Sequence, residues 1–394
     1  MKNIISQCLL VLVSIIARLQ FLVYRLLVTA LIAAMILTPI YYWVTGAPLP
    51  NLDSLNIPTP WVWGFGVFTI LLMALTTKAH PVKVNPHRRY PGVDGWINKQ
   101  VDIFIEWIGT LKYFTTPLSL VEDPGSYKIK GYEVRELISD GFLQPGDILL
   151  RGYDGYLDGI MISISGGSHG DKKKHFSHAA IFLGDLNSSD KMIAARRLQV
   201  LDEAGTWRDA TEAEKDTIRN DDGYFQTGRD RVVHAMAKGV FVEDILTFTR
   251  CDYLIVLRLH DQLKLSPQEM QEDRSLISEL PPDADRIRAM LLAGNPVNRS
   301  DVLEAVRLSA LGKIGACYDF QFNDGNQHNR FSCSEFVYYC YKSIHCYLGL
   351  QLRNRAFAGI FFKRKTITPG DIYDAAIDRN KLTVIWESKS LSGA

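Results

Sequence analysis

An uncharged, almost wholly apolar run near the N-terminus is the feature that most constrains how this chain folds. It spans residues 26–44 (LLVTALIAAMILTPIYYWV) and is long enough, as a helix, to cross roughly 30 Å of hydrocarbon. A second apolar run follows at residues 61–77. Together they predict a transmembrane helical hairpin within residues 1–80. A secretory signal peptide is the competing interpretation, but its apolar core would be shorter and no second run would follow it.

Basic residues predict how such a hairpin is oriented. Three Lys or Arg residues lie within residues 1–25 and five within residues 78–99, whereas the loop at residues 45–60 carries none. Because cytoplasmic flanks are enriched in Lys and Arg, both chain ends are expected on the cytoplasmic side. The expected location is therefore a two-span membrane protein with a cytoplasmic C-terminal domain. A further membrane segment at residues 8–16, which are also apolar, would invert this orientation.

Charge and cysteine usage narrow the function classes. Lys+Arg number 44 and Asp+Glu 43, for a formal net charge of +1, so no overall field would attract nucleic acid. The six cysteines show no CxxC pair and no zinc-ligand spacing. We therefore expect no disulfide scaffold, no metal site, no cofactor and no nucleic-acid partner. Unpaired cysteines also suit a reducing compartment.

The pattern beyond the hairpin indicates a globular α+β domain joined to the membrane by a connector. Residues 81–130 form the connector, and residues 131–394 form the domain, interrupted by a polar insertion at residues 185–230 that indicates a surface excursion or a lid. Alternating apolar and β-branched residues predict strands of an antiparallel sheet at 147–151, 177–183, 231–235, 239–242 and 253–259. Helical spacing predicts helices at 267–279, 284–292 and 300–311, with one more starting near Cys333.

Cys333 opens a segment, CSEFVYYC, that has the spacing of a buried helix. Phe336, Val337 and Cys340 recur three and four residues apart, and Ser332 is a suitable N-cap. In the first turn of such a helix, peptide dipoles and free N–H groups lower a thiol pKa and can stabilise an oxyanion. Cys333 is therefore a candidate nucleophile, although a lone cysteine of this kind is more often a small core residue. Cys340 is expected to be inert core.

Two histidines on predicted strands supply a candidate base and an orienting residue. In SHAAIFLG, alternation places His178 with Ala180 and Phe182 on one strand face, from which we expect His178 to point toward the Cys333 helix. In RVVHAM, His234 also projects from one face, and antiparallel pairing would set the two imidazoles side by side. His175 competes with His178 as the base, but it follows a basic, solvated run and lacks apolar strand neighbours.

The ordered series PGDILL, SHAAIFLG, VVHAMAKGV, YDFQF and CSEFVYYCY resembles the circularly permuted branch of the NlpC-type papain-like hydrolases, the YiiX-like proteins. It is also similar to the lecithin:retinol acyltransferase-like enzymes. The resemblance covers residues 143–376 and implies a permuted papain-like domain. It implies Cys333 as nucleophile, His178 as base and His234 as the third, orienting residue. The third residue is often acidic in YiiX-like proteins, so His234 is closer to the acyltransferase relatives.

Tyr318 matches the tyrosine that lies just upstream of the cysteine in that family. Its phenol can donate to a developing oxyanion or contact the substrate, and filling the core is the alternative role. The expected activity is that of a cysteine hydrolase or acyltransferase that opens an amide or ester through a thioester. A membrane anchor favours a lipid or lipid-linked substrate. Cell-wall peptide is the alternative substrate, and a catalytically inactive, membrane-tethered binding module is the alternative function.

Overall fold

The computed structural model describes residues 127–154, 175–202, 204–273, 285–319, 328–357 and 362–392. It also gives two short strands, Thr76–Lys78 and Leu111–Tyr113, and single residues at 92, 99 and 162. The predicted membrane hairpin and most of the connector lie outside the described residues. Within the part of the chain that is described, no helix combines the length and the apolar character needed to span a bilayer.

A six-stranded antiparallel sheet forms the centre of the domain, as the alternating sequence pattern predicts. Its strands are β1 (Ile148–Gly152), β2 (His178–Leu186), β3 (Gly228–Met236), β4 (Gly239–Asp244), β5 (Tyr253–Leu259) and β6 (Leu382–Glu387). The strand order is β6-β5-β1-β2-β3-β4, with every neighbouring pair antiparallel. The predicted α+β class is thus confirmed, and β6 is a strand that the sequence pattern did not indicate.

Helices and short strand pairs surround this sheet. The helices used below are α1 (Gly131–Ile138), α2 (Ile245–Phe248), α3 (Arg299–Gly312) and α4 (Cys333–Cys340). The other helices are Ser188–Ile193, Glu212–Arg219, Pro267–Asp273, Asp285–Leu292, His345–Leu348, Pro369–Ile377 and Lys389–Ser392, with 3-10 turns at Ser139–Gly141 and Lys342–Ile344. The short strand pairs are Gln199–Leu201 with Trp207–Asp209, Gln262–Leu263 with Val297–Asn298, Cys317–Tyr318 with Arg330–Phe331, and Arg353–Phe357 with Phe362–Thr366.

Both faces of the sheet are buried, each in its own core cluster. On the face that we call the helix face, Ala179, Ile181 and Val233 share a cluster with residues of α3 and α4. On the opposite face, the histidine face, Ala180 and Phe182 share a smaller cluster with residues of α1 and α2. Strand residues alternate between the two faces, so each strand contributes to both cores. This arrangement decides on which side each candidate site residue lies.

The insertion at residues 185–230 belongs to the main core rather than standing apart from it. It folds into a helix, a short hairpin and a second helix, and it buries Ala194, Ile218 and Phe225 in the cluster of the helix face. Arg307 of α3 also donates to the buried Asp190 carboxylate at 2.7 Å. These contacts make the insertion an integral layer of the domain.

The turn before β1 is fixed by its aspartate. The backbone N–H of Gln144 donates to Asp147 at 2.8 Å, and Arg258 of β5 donates to both oxygens of that carboxylate, at 2.8 and 2.7 Å. A turn aspartate that bonds nearby backbone restricts the chain in this way. The carboxylate of Asp147 thus fixes the turn and ties β1 to the neighbouring strand β5.

Candidate active site

Helix α4 begins as the sequence predicts, with Ser332 as its N-cap. The Ser332 hydroxyl accepts from the N–H of Glu335 at 3.4 Å, and the Glu335 carboxylate accepts from the N–H of Ser332 at 3.0 Å. This reciprocal capping box fixes the entry of the chain into the helix. Cys333 is consequently the first residue of α4, where backbone N–H groups have no intrahelical acceptor. The N–H of Cys333 is therefore available to an oxyanion.

The Cys333 thiol is buried against the start of β2. Its sulfur lies 3.9 Å from the carbonyl oxygen of Ser177 and 3.7 Å from the hydroxyl of Ser334. Burial raises the pKa of this thiol, and hydrogen bonds from the N–H of Ala179 and from Ser334 offset only part of that effect. The N–H groups at the helix terminus act in the expected direction, but burial outweighs them, so the net pKa of the thiol is raised rather than lowered.

The two candidate histidines are in direct contact. Nε2 of His178 lies 2.8 Å from Nδ1 of His234, with the rings nearly perpendicular and their centroids 5.0 Å apart. Because Ile181 pairs with Val233, continuing the register sets His234 opposite Ala180, diagonal to His178 on the same face. The predicted side-by-side placement of the imidazoles is what the structure shows.

The Cys333 helix and the His178 side chain lie on opposite faces of the sheet, which differs from the sequence-based expectation. His178 shares the histidine face with Ala180 and Phe182, and its ring lies 6.0 Å from that of Phe248 in α2. Helix α4 covers the helix face instead, so the prediction that His178 points toward that helix is wrong. Within the described residues, the thiol reaches the backbone on both sides of His178 and makes no hydrogen bond to its imidazole.

A carboxylate and a guanidinium complete the polar cluster, and sequence reasoning missed both. Oε2 of Glu243 lies 3.3 Å from Nε2 of His234, and NH1 of Arg151 lies 3.9 Å from the same oxygen. The His234–Glu243 contact is at ion-pair distance but is not aligned as a full hydrogen bond. Arg151 also donates to the carbonyl of Phe248 at 2.8 Å and stacks over that ring at 4.1 Å. Alternation along VFVED could have indicated that Glu243 lies on the histidine face. Glu243 pairs with Val232, which lies two residues before His234 on the same face of β3.

The protonation states in this cluster follow from burial and charge. Burial lowers the pKa of His178 well below its usual range, and the nearby Arg151 and His234 lower it further. Burial also lowers the pKa of His234, although Glu243 acts against that shift. Burial raises the pKa of Glu243, but its contact with His234 and the charges of Arg151 and Lys238 prevail and hold it at about 2. At neutral pH the cluster therefore contains two neutral imidazoles beside an ionised carboxylate.

The remaining candidates occupy neighbouring positions. Tyr318 pairs with Phe331, two residues before Cys333, and its half-buried side chain packs against the main core. Of the two histidines that competed as candidate base, His178 is the one that contacts His234. The ring of His175 stacks on Tyr253 at 4.1 Å instead. Cys340 is buried in the core as expected. Among the residues that the structure describes, no three His, Cys, Asp or Glu side chains converge as metal ligands would.

Comparison of the chain with protein-family models, with curated proteins and with solved structures finds no match. The chemistry that the site could perform therefore follows from its own geometry alone. A thiol at a helix N-terminus and a neutral imidazole pair are groups that nucleophilic catalysis uses, and here the thiol contacts the backbone on either side of His178 rather than its ring. Nδ1 of His178, the ring nitrogen nearer the backbone that the thiol contacts, has no hydrogen-bond partner among the described residues.

Proposed function

We propose that this chain is a cysteine hydrolase or acyltransferase with a permuted papain-like domain, in which Cys333 is the nucleophile and His178 the base. His234 orients the base as the third residue. The observation that carries the proposal is the 2.8 Å contact between the two imidazoles at the strand end that the Cys333 thiol abuts. The ordered motifs shared with the NlpC-type and lecithin:retinol acyltransferase-like families support the same assignment.

The reaction divides one difficult step into two. Nδ1 of His178 takes the proton of the Cys333 thiol, and the thiolate adds to an amide or ester carbonyl. The N–H of Cys333 donates to the resulting oxyanion, with the phenol of Tyr318 as a second donor. The imidazolium of His178 then protonates the departing amine or alkoxide as the C–N or C–O bond breaks. Water or an acceptor attacks the thioester, and the thiol reforms.

A rotation of side chains precedes the proton transfer. The thiol contacts the backbone of Ser177 and Ala179, on either side of His178, so the thiol or the imidazole has to turn about χ1 before sulfur and Nδ1 come within hydrogen-bond reach. Catalytic hydrogen bonds commonly tighten only when substrate is bound.

The proposed substrate carries an acyl chain or a lipid anchor. The predicted hairpin would hold the domain at a bilayer, where such substrates are concentrated and soluble peptides are not. The proposed location is a two-span membrane protein with a cytoplasmic catalytic domain. A cysteine introduced at Gly46 should react with an impermeant maleimide in intact cells, and one introduced at Asp202 should not. The opposite labelling would place the domain outside and make cell-wall peptide the better substrate.

Trapping of the acyl-enzyme tests the proposed function. The purified full-length chain would be incubated with p-nitrophenyl esters of short and long acyl chains and then digested for mass spectrometry. We expect a hydroxylamine-sensitive acyl group on the peptide that contains Cys333. The adduct should be lost in Cys333→Ala and retained in Cys346→Ala, which removes a half-buried cysteine outside the site. An adduct that persists in Cys333→Ala would show that the nucleophile is another residue.

A non-catalytic binding module is the second candidate function. One observation favours it, because the buried thiol makes no hydrogen bond to His178 and burial raises the pKa of the thiol. Such a module would form no acyl adduct with either ester at any pH. The same trapping experiment therefore separates the two candidates.

A further inference from the structure

We propose that Glu243 is a fourth member of the site, a positioning residue that selects the tautomers of both histidines so that His178 presents a free lone pair at Nδ1. This inference rests on the proposed function, because a lone pair at Nδ1 matters only if His178 takes the thiol proton. The polar row runs from His178 through His234 to Glu243, and the Cys333 thiol lies against the backbone beside His178. Its last contact is the 3.3 Å approach of the Glu243 carboxylate to Nε2 of His234.

The contact between the imidazoles allows two proton arrangements. Each neutral ring carries one N–H, so either His178 donates from Nε2 to Nδ1 of His234, or His234 donates from Nδ1 to Nε2 of His178. In the first arrangement, the remaining proton of His234 lies on Nε2 and His178 Nδ1 is a lone pair. In the second arrangement, His234 Nε2 is a lone pair and His178 Nδ1 carries the proton. Only the first leaves His178 able to take a proton from the thiol at Nδ1.

The Glu243 carboxylate distinguishes these arrangements. In the first, the N–H at Nε2 of His234 lies beside a charged acceptor 3.3 Å away and is attracted to it, although the two are not aligned as a full hydrogen bond. In the second, a nitrogen lone pair would face a carboxylate oxygen at the same distance, which is repulsive in a site with little water. His234 is fully buried, so solvent does not reach it to relieve that repulsion. The carboxylate therefore favours the tautomers that make His178 a base.

Arg151 keeps Glu243 in the form that this role requires. Its guanidinium lies 3.9 Å from Oε2 of Glu243 and is itself held by the carbonyl of Phe248. Arg151 pairs directly with His178 across β1 and β2, so it occupies the same face of the sheet. A cation at this position holds the carboxylate ionised. It also disfavours an imidazolium at His178, which keeps the resting base neutral.

Direct observation of the tautomers tests the inference in the unmodified chain. The full-length protein, labelled with ¹⁵N-histidine, would be studied by two-bond ¹H–¹⁵N correlation, with His178→Gln and His234→Gln spectra used for assignment. We expect both rings in the Nε2–H form at neutral pH. A His178 ring with its proton on Nδ1 would overturn the inference whether or not the chain turns over any substrate.

A matched pair of variants then tests the carboxylate itself. The side-chain amide of Glu243→Gln can either donate or accept, so it no longer selects one arrangement. We expect a mixture of tautomers and a fall of about 2-fold or more in the rate at which iodoacetamide alkylates Cys333 at pH 7, because only the share of molecules with a lone pair at His178 Nδ1 can accept the thiol proton. Asp244→Asn removes the same charge one residue away while keeping a good N-cap for α2, and it should change neither readout.

The outcomes separate this inference from the proposed function. Suppose that alkylation of Cys333 depends on His178, but that Glu243→Gln changes neither the tautomers nor the alkylation rate. This result would overturn the role of Glu243 and leave the nucleophile and base in place. Failure of iodoacetamide to modify Cys333 in the unmodified chain would count against the proposed function instead. A purely structural role for Glu243 would lower stability without altering the tautomers, and that result would also overturn the inference.

Discussion

Two glutamates lie on opposite faces of the sheet, close to the candidate site, and they differ in protonation. Glu243 on the histidine face is surrounded by His234, Arg151 and Lys238, which outweigh burial and hold its pKa at about 2. Glu335 in α4 is buried beside Asp319, and burial and that second acid raise its pKa to about 7, against the hydrogen bonds from Ser332 and Thr366. The sign of the neighbouring charges, rather than burial alone, explains why Glu243 is fully ionised at neutral pH and Glu335 only partly so.

The two glutamate side chains have different roles. Glu243 is a permanent anion that can polarise the imidazole pair. Glu335 accepts from the Ser332 N–H at 3.0 Å and from the Thr366 hydroxyl at 2.7 Å, so it holds the start of the Cys333 helix in place. Ionised Glu335 would also raise the pKa of the Cys333 thiol. One glutamate thus contacts the histidine pair that contains the candidate base, and the other supports the helix that carries the candidate nucleophile.

Removing the cation beside Glu243 should have the largest effect on stability. Arg151→Met leaves a largely buried carboxylate without its cation, which should cost about 3–5 kcal/mol of unfolding free energy, measured by urea denaturation at pH 7. The double variant Arg151→Met, Glu243→Gln removes both charges and should recover a good part of the loss. A cost below about 1 kcal/mol for the single variant would show that Arg151 does not hold the Glu243 charge.

The contribution of Glu335 to the stability of the fold should change with pH in the opposite direction to that of Glu243. In the unfolded chain the pKa of Glu335 returns to about 4.3, so the native state holds an extra proton between about pH 4.3 and 7. Stability should therefore fall as the pH rises across that window, by on the order of 1–3 kcal/mol. Glu335→Gln should flatten this part of the profile. The depressed pKa of Glu243 acts only at lower pH, where stability is lost as the pH falls from about 4.3 to 2.

Urea midpoints from about pH 2 to 8 in the unmodified chain, Glu335→Gln and Glu243→Gln provide the measurement. The two variants should differ in which end of the profile they change. A Glu335→Gln profile that still falls between pH 4.3 and 7 would mean that Glu335 is ionised throughout and that the contrast between the two glutamates is wrong.

The smallest effect is expected at the N-cap of α4. Ser332→Ala removes the hydroxyl that accepts from the Glu335 N–H and should cost about 1 kcal/mol. Ser332→Asp replaces that acceptor with another good N-cap and should lose less in the same denaturation series. Equal stability of the alanine variant and the unmodified chain would indicate that the capping box contributes little to α4.

Local features of the domain could be predicted from the sequence, because they depend on short-range patterns. Alternation located five of the six strands, and the apolar spacing after Ser332 located α4 and its cap. The face that α4 covers could not be predicted, because alternation shows which residues share a face and not which element packs on it. The place of Glu243 in the cluster could not be predicted for a related reason. Its role depends on pairing with β3 and on Arg151, which is distant in sequence.

The most direct test of the central claim is the single-turnover rate at which Cys333 is acylated by a p-nitrophenyl ester. His178→Ala should slow this step by about 10³-fold or more, because the base is lost. His234→Ala should slow it by about 10–100-fold, since orientation is only part of the acceleration. His175→Ala, which removes the neighbouring histidine outside the cluster, should acylate at the unmodified rate. Acylation of Cys333 in His178→Ala at that same unmodified rate would contradict the account.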